Sequence, residues 1–151
     1  MDPSRISLRP FKLSDVDDFL KWASDDIITR YLRWDSIPHD HSIGYVSIFP
    51  EAGEDRCRAH VGYALATDYW GQGIVTAALK MAVSRVFQDL QDVVRLEALV
   101  EVENKGSQRV LVFLRNLIGF SKEGLLRKYG YCKGEIRDMF AYSFSSTDKV
   151  L

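Results

Sequence analysis

The stretch Leu65-Ala66-Thr67-Asp68-Tyr69-Trp70-Gly71-Gln72-Gly73-Ile74-Val75-Thr76 constrains this chain most, because it runs from an apolar strand end through two glycines into an amphipathic helix. Ahead of it, Arg58 to Ala66 alternates. Ala59, Val61, Tyr63 and Leu65 share a bulky face, and His60, Gly62, Ala64 and Ala66 share a nearly bare one. Behind it, Ile74, Ala77, Ala78, Met81, Ala82 and Val86 recur at helical spacing and form a stripe suited to packing on a sheet. The start of such a helix offers free backbone amides and positive potential. Gly71 and Gly73 let a phosphate approach that backbone, so the local physics suits an anion such as a pyrophosphate; a lone G-x-G is also found in turns that bind nothing.

The remaining pattern supplies a sheet and its covering helices. Ile6 to Pro10 reads as a first strand, followed by a helix that Ser14 caps and that carries Leu13, Val16, Phe19, Leu20 and Ala23. A short helical piece is predicted around Asp26 to Tyr31, and only Asp35 to Ser42 separates Trp34 from the next strand, Ile43 to Phe49. Pro50 to Asp55 turns that strand back into Arg58 to Ala66 as a hairpin. Val93 to Val102 is a further strand, and Asn104-Lys105-Gly106-Ser107 opens a helix carrying Val110, Leu111, Leu114, Leu117 and Ile118. Gly119-Phe120 ends it, and two strands follow, about Ser121 to Tyr131 and Ile136 to Phe144, joined through Lys133-Gly134. A hairpin combined with strand-helix-strand-helix crossovers predicts an α/β fold of the α+β type, a mixed sheet covered by helices.

Composition narrows the function classes. A length of 151 residues with 46% hydrophobic and 27% charged content fits a single domain, 1–151. A net charge of −1 gives no general attraction to nucleic acid or to an anionic membrane. There is no run of about 20 apolar residues and no signal-peptide pattern at Met1 to Arg5, so a cytoplasmic protein is expected. Cys57 and Cys132 lie far apart without neighbouring ligand residues, and read as buried or half-buried thiols rather than a disulfide or zinc site. His39, Asp40 and His41 lack a distal ligand pattern, so no metal is expected. Trp22, Trp34 and Trp70 read as packing residues, and Arg127, Lys128 and Arg137 as solvent-facing.

Tyr63-Ala64-Leu65, then Tyr69-Trp70-Gly71-Gln72-Gly73-Ile74, then Asn104-Lys105-Gly106-Ser107 after the next strand, together resemble the GNAT superfamily of acetyltransferases, in its RimJ/RimL-like branch. The resemblance extends from Ile6 to the strand around Arg137-Asp138-Met139. It implies a GNAT-like acyl-CoA N-acyltransferase fold whose sheet splays near a bulge in Arg58 to Ala66. The pantetheine arm of acetyl-coenzyme A, as cosubstrate, would lie in the opening and bond the backbone of Leu65, Ala66 and Thr67. The pyrophosphate would rest on Gly71, Gln72, Gly73, Ile74, Val75 and Thr76, with Asn104 meeting the arm. Asp68 and Ala77 depart from the branch, which has Arg or Gln and Glu there. Asp35 to Ser42 is too short for the helix-strand pair the branch carries, so that pair is expected to be missing, with part of the acceptor side. Val112 to Ile118 adds about one helical turn.

The resemblance further implies that an amine attacks the thioester directly. His60 stands where the branch often has Glu, and its ordinary pKa suits a base acting directly or through water. Its bland alternative is a structural or exposed histidine. Ser107 occupies the position that approaches the coenzyme A sulfur in the branch, with helix capping as its alternative role. The expected activity is N-acetyl transfer to a protein N-terminus or small amine. A noncatalytic coenzyme A-binding or interaction domain is the alternative, and the residues carry no signal of oligomeric state.

Overall fold

The computed structural model describes residues 7–10, 12–15 and 43–148. Five strands, β1 (Gly44–Pro50), β2 (Arg58–Leu65), β3 (Arg95–Glu101), β4 (Ser121–Cys132) and β5 (Glu135–Ser145), form one sheet with two helices, α1 (Ile74–Asp89) and α2 (Lys105–Ile118). The spatial order is β1-β2-β3-β5-β4. Among the described residues only β2 and β3 run parallel, since α1 connects them as a crossover; the other neighbouring pairs described are antiparallel. The mixed α/β fold expected from the pattern is the fold observed.

Each element follows from local chemistry. Gly53 turns the β1–β2 hairpin with φ of 63°. Asn104 caps α2 by accepting the Ser107 amide at 3.0 Å, and Gly119 ends that helix in the left-handed region. The longer helix absorbs its additional residues as regular α-structure: Leu111, Leu114 and Ile118 are buried while Val112 and Phe113 face out. On α1 the buried stripe is Ile74, Ala78, Leu79, Val83 and Val86, and Met81 is exposed. The stripe is thus turned from the expected one, because α1 packs on α2 as well as on β1 and β2.

The core lies between the helices and one face of the sheet, where Ala59, Val61, Leu96, Ala98 and Val100 meet Leu79, Val83, Leu111 and Leu114. Phe144 stacks on Phe120 with centroids 5.6 Å apart. The other face carries polar groups. Arg95 bonds Glu97 at 2.6 Å and also grips Glu123, whose carboxylate accepts the Ser143 hydroxyl at 2.7 Å.

Several expectations change. Ser7–Pro10 forms no strand, and Leu13–Asp15 is a single 3-10 turn in which the Asp15 carboxylate accepts the Lys12 amide at 2.8 Å and pairs with Arg9. The rest of the expected first helix, the piece at Asp26 to Tyr31, Trp22, Trp34, the His39 to His41 group and the Asp35 to Ser42 connection lie outside the described residues. Cys57 is exposed, at the turn before β2, and Cys132 is buried. Arg137 is half-buried and paired with Glu135 at 2.5 Å, on a sheet face it shares with the buried Glu101, 3.8 Å away. The expected bulge in β2 is absent: the β1–β2 register is unbroken from Gly44↔Leu65 to Pro50↔Ala59. The irregularities lie in β4, between Lys122 and Gly124 and between Leu126 and Gly130.

The Arg95–Glu123–Ser143 cluster predicts an acid-dependent component of stability. Arg95, and then Ser143, hold the Glu123 carboxyl below its ordinary range. Its contribution is therefore full above the unfolded carboxylate pKa of about 4.3 and is lost as pH falls through the lower folded value. Because the pair is partly exposed, Glu123→Gln should cost about 1 kcal/mol or less at pH 7, and the difference from the parent in urea denaturation should shrink steadily as the pH is lowered below the unfolded carboxylate range. A pH-independent difference would refute this account.

Candidate active site

The site begins where two strands part. β2 and β3 pair at three positions only, Arg58↔Arg95, Ala59↔Leu96 and His60↔Glu97. Beyond them β2 stays with β1 to its end, while β3 stays with β5 as far as Glu101↔Met139. The sheet therefore splits into two halves like a fork. Ala66 donates to the Ile43 carbonyl and Glu51 to that of Arg58, at 2.8 and 2.9 Å, and these bonds set the backbone alternation. Arg58, His60, Gly62, Ala64 and Ala66 direct their amides and carbonyls at β1; Ala59, Val61, Tyr63 and Leu65 direct theirs toward β3. Tyr63 and Leu65 lie past the last β2–β3 pair, so their polar backbone faces the fork.

A cleft of about 600 Å³ fills the fork and continues to the start of α1. One end is built for an anion. Gly71 and Gly73 have φ of 73° and 74°, the left-handed region that glycine adopts without strain. Gly73 caps α1 with no side-chain hydrogen bond, and Ala77 is the first residue whose amide returns to it, at 3.0 Å. The amides of Ile74, Val75 and Thr76 therefore lack intrahelical acceptors and sit at the positive end of the helix dipole.

Two side chains bond at the fork. The Trp70 indole donates to the Leu65 carbonyl at 2.7 Å, and half of the ring is exposed at the cleft wall. This is a more specific role than packing. The Tyr63 hydroxyl crosses the gap and donates to the Ser107 carbonyl at 3.3 Å. Burial pushes its phenol well above the usual tyrosine range, so it stays protonated as a donor.

Of the residues expected from the sequence, Leu65, Gly71, Gly73, Ile74, Val75, Thr76, Asn104 and Ser107 come together along this cleft. Ala66, Thr67 and Gln72 lie in its connecting loop but do not line it; the Ala66 and Thr67 carbonyls accept the Tyr69 and Trp70 amides, both at 3.0 Å. Asp68 is exposed. Ser107 does not cap α2, because the Asn104 side chain takes that role. His60 stands at the closed end of the fork, outside the cleft lining, with Nε2 2.9 Å from the Glu51 carboxylate. The sequence reading found no partner for it; Glu51 lies across the hairpin, where periodicity alone gives no sign of it.

Three wall residues had no site role in the sequence reading. Tyr63 read as an ordinary bulky-face residue, and Glu101 and Cys132 carried no motif. The Glu101 side chain is buried, and the Cys132 thiol is pushed up by burial and then by its hydrogen bond to Glu101. No group of three potential metal ligands occurs among the described residues. None of the described helices is long and apolar enough to cross a membrane.

Residues 37–114 match the acetyltransferase (GNAT) domain. The Bacillus subtilis protein named "Uncharacterized N-acetyltransferase YoaA" is 33% identical, covering 95% of this chain and 94% of its own length. That alignment runs over 173 positions against a chain of 151, so the relative carries residues with no counterpart here. The ribosomal-protein-S5-alanine acetyltransferase of Vibrio fischeri superposes with a TM-score of 0.61 at 33% identity, over 71% of this chain and 56% of that one. Mycobacterium smegmatis RimJ in complex with CoA-disulfide gives 0.60 at 34%, over 70% and 48%. The chain thus spans about half the length of these two structures.

The capping geometry yields a direct prediction. Asn104→Ala should cost about 1 kcal/mol in urea denaturation by leaving the Ser107 amide without its acceptor, whereas Asn104→Asp should retain most of it. Equal stability of all three proteins would show that the cap contributes nothing.

Proposed function

The chain belongs to the GNAT acetyltransferase family, and on that premise we propose that it transfers the acetyl group of acetyl-coenzyme A to a primary amine by direct attack. The observation that carries this reading is the fork between β2 and β3, which ends at the amides of Ile74, Val75 and Thr76. Acetyl-coenzyme A needs a narrow polar channel for its pantetheine amides and an anion site for its pyrophosphate. The backbone of Tyr63 and Leu65 suits the first need, and the start of α1 suits the second. Asn104 and Ser107 stand on the opposite wall of the channel, where Ser107 would donate to the thioester sulfur as it leaves.

In this reading the amine loses a proton, its nitrogen attacks the thioester carbon, and the carbon–sulfur bond breaks as the thiolate is protonated. Backbone donors in the fork offset charge on the thioester oxygen. His60, oriented by Glu51, is the proposed base and acts through water from the closed end of the fork. The acceptor is a protein N-terminus or a small amine, and the setting is cytoplasmic. A noncatalytic coenzyme A-binding domain is the second reading, favoured by the residues that the longer relative has and this chain lacks. Calorimetry with acetyl-coenzyme A, paired with a transfer assay across varied amines, separates the two: tight binding without turnover supports the second.

The cradle gives a sharper test. A Cβ at Gly73 meets nothing within 4 Å, so backbone conformation and charge, not space, limit substitution there. Gly73→Asn, tolerated in the left-handed region, should keep coenzyme A affinity within a few-fold, while Gly73→Glu should lower it at least tenfold. Equal affinities would exclude phosphate binding at α1. For the chemistry, His60→Ala and Ser107→Ala should each lower turnover by about 10²-fold with little change in coenzyme A affinity, and higher pH should partly restore the histidine variant. Normal turnover in either variant removes that residue from the mechanism.

A further inference from the structure

Among the described residues β4 lies at the edge of the sheet, so one side of its backbone has no strand beside it. Its register with β5 breaks between Leu126↔Met139 and Gly130↔Arg137, where Arg127, Lys128 and Tyr129 stand against the single residue Asp138. The Asp138 carboxylate accepts the Lys128 amide at 2.7 Å, and the Asp138 carbonyl accepts the Val102 amide at 3.2 Å. The bulge is thus tied to the corner between β3 and α2, level with the end of β3, where Met139 pairs with Glu101. A hollow of about 630 Å³ lies within it, lined by Leu125, Leu126, Arg127, Lys128 and Tyr129. Tyr129 also lines the cleft, so the two spaces share a wall.

Charge is used unevenly along β4. Glu123 is held by Arg95, and the Lys122 ammonium sits 3.1 Å from the centre of the Phe140 ring. Arg127 and Lys128 are exposed, and their side chains make no ion pair among the described residues. Asp138, the carboxylate facing the bulge, is engaged by the Lys128 amide. Lys128 holds a φ of 50°, a left-handed conformation that glycine takes without strain, so the chain keeps a charge where glycine would suit the backbone better. Two such cations beside the half-exposed Leu125 and Tyr129 fit an extended segment that bears carboxylates. Arg127 can meet a carboxylate with two parallel N–H donors and Lys128 with a point charge, while the open edge of β4 offers backbone groups to a strand. A phosphate backbone would find little here, because its binding draws on many cations and the chain as a whole carries a net charge of −1.

Resting on the acetyltransferase reading, we propose that the β4 bulge docks an acidic peptide segment of the acceptor, so that the substrate class is a protein or peptide whose N-terminal amine is followed by Asp or Glu residues. The amine enters the cleft, the chain behind it passes Tyr129, and its carboxylates meet Arg127 and Lys128. Asp138 is a positioning residue, which fixes the bulge and touches no substrate.

The test compares two peptides with the same N-terminal residue, one carrying Asp and Glu behind it and the other Asn and Gln, with benzylamine as an acceptor that has no carboxylate. With the full chain saturated with coenzyme A, calorimetry should show the acidic peptide bound at least tenfold more tightly at low salt, and kcat/KM should favour it by about the same factor. Added salt should shrink both preferences. Arg127→Ser combined with Lys128→Gly should bring the acidic peptide to the level of the neutral one, while benzylamine transfer and coenzyme A affinity stay within twofold. If that double variant does not fold, Lys128→Gly alone decides, with a loss of at least threefold in the preference. Equal binding of the two peptides by the parent, or an unchanged preference in the folded variant, overturns the proposal. So does a parent that binds a single-stranded RNA oligomer through these residues and shows no peptide preference. Parent protein that acetylates benzylamine but neither peptide overturns the proposal alone; parent protein that transfers to no acceptor overturns the acetyltransferase reading, and the substrate class with it.

Discussion

Two parallel strands that pair for three residues and then separate leave polar backbone facing a gap, and the organisation of the site depends on how that gap is held. Each strand is kept straight by its outer neighbour: β1 follows β2 to Leu65, and β5 follows β3 to Glu101. The divergence therefore needs no bulge in β2. Unpaired backbone groups are costly in a dry interior but useful at a cleft wall, where a polar ligand can complete them.

The bonds that bridge or close the gap are few and specific. Trp70 satisfies the last carbonyl of β2, and Tyr63 reaches the first turn of α2. Asn104 fixes that turn from within, and the Glu101 carbonyl anchors it from the end of β3. The two walls are thus referenced to each other through the start of one helix. Ser107 is positioned by that arrangement, where the Tyr63 hydroxyl bonds its carbonyl across the gap.

The cleft lining carries groups of both signs, Glu101 and Arg109 among them, besides the amides at the start of α1. The amides of Ile74, Val75 and Thr76 stand without intrahelical acceptors at the start of α1, and the buried Glu101 lines the same cleft. The net charge of −1 for the whole chain conceals this mixture, because global charge carries no information about where buried groups meet.

The sequence by itself determined the elements whose causes are local. Alternation in β2, the two glycines before α1, the Asn104 entry and the Gly119 exit are all set by neighbouring residues, and the family resemblance rested on the same short motifs. Only the tertiary structure decided the separation of β2 from β3, the Tyr63–Ser107 bridge, the Glu51 partner of His60 and the meeting of Glu101, Cys132 and Arg137. Those contacts join positions as much as 44 residues apart. Periodicity specifies which face a side chain takes, but strand order and register specify which faces meet, and these follow from how the whole core packs.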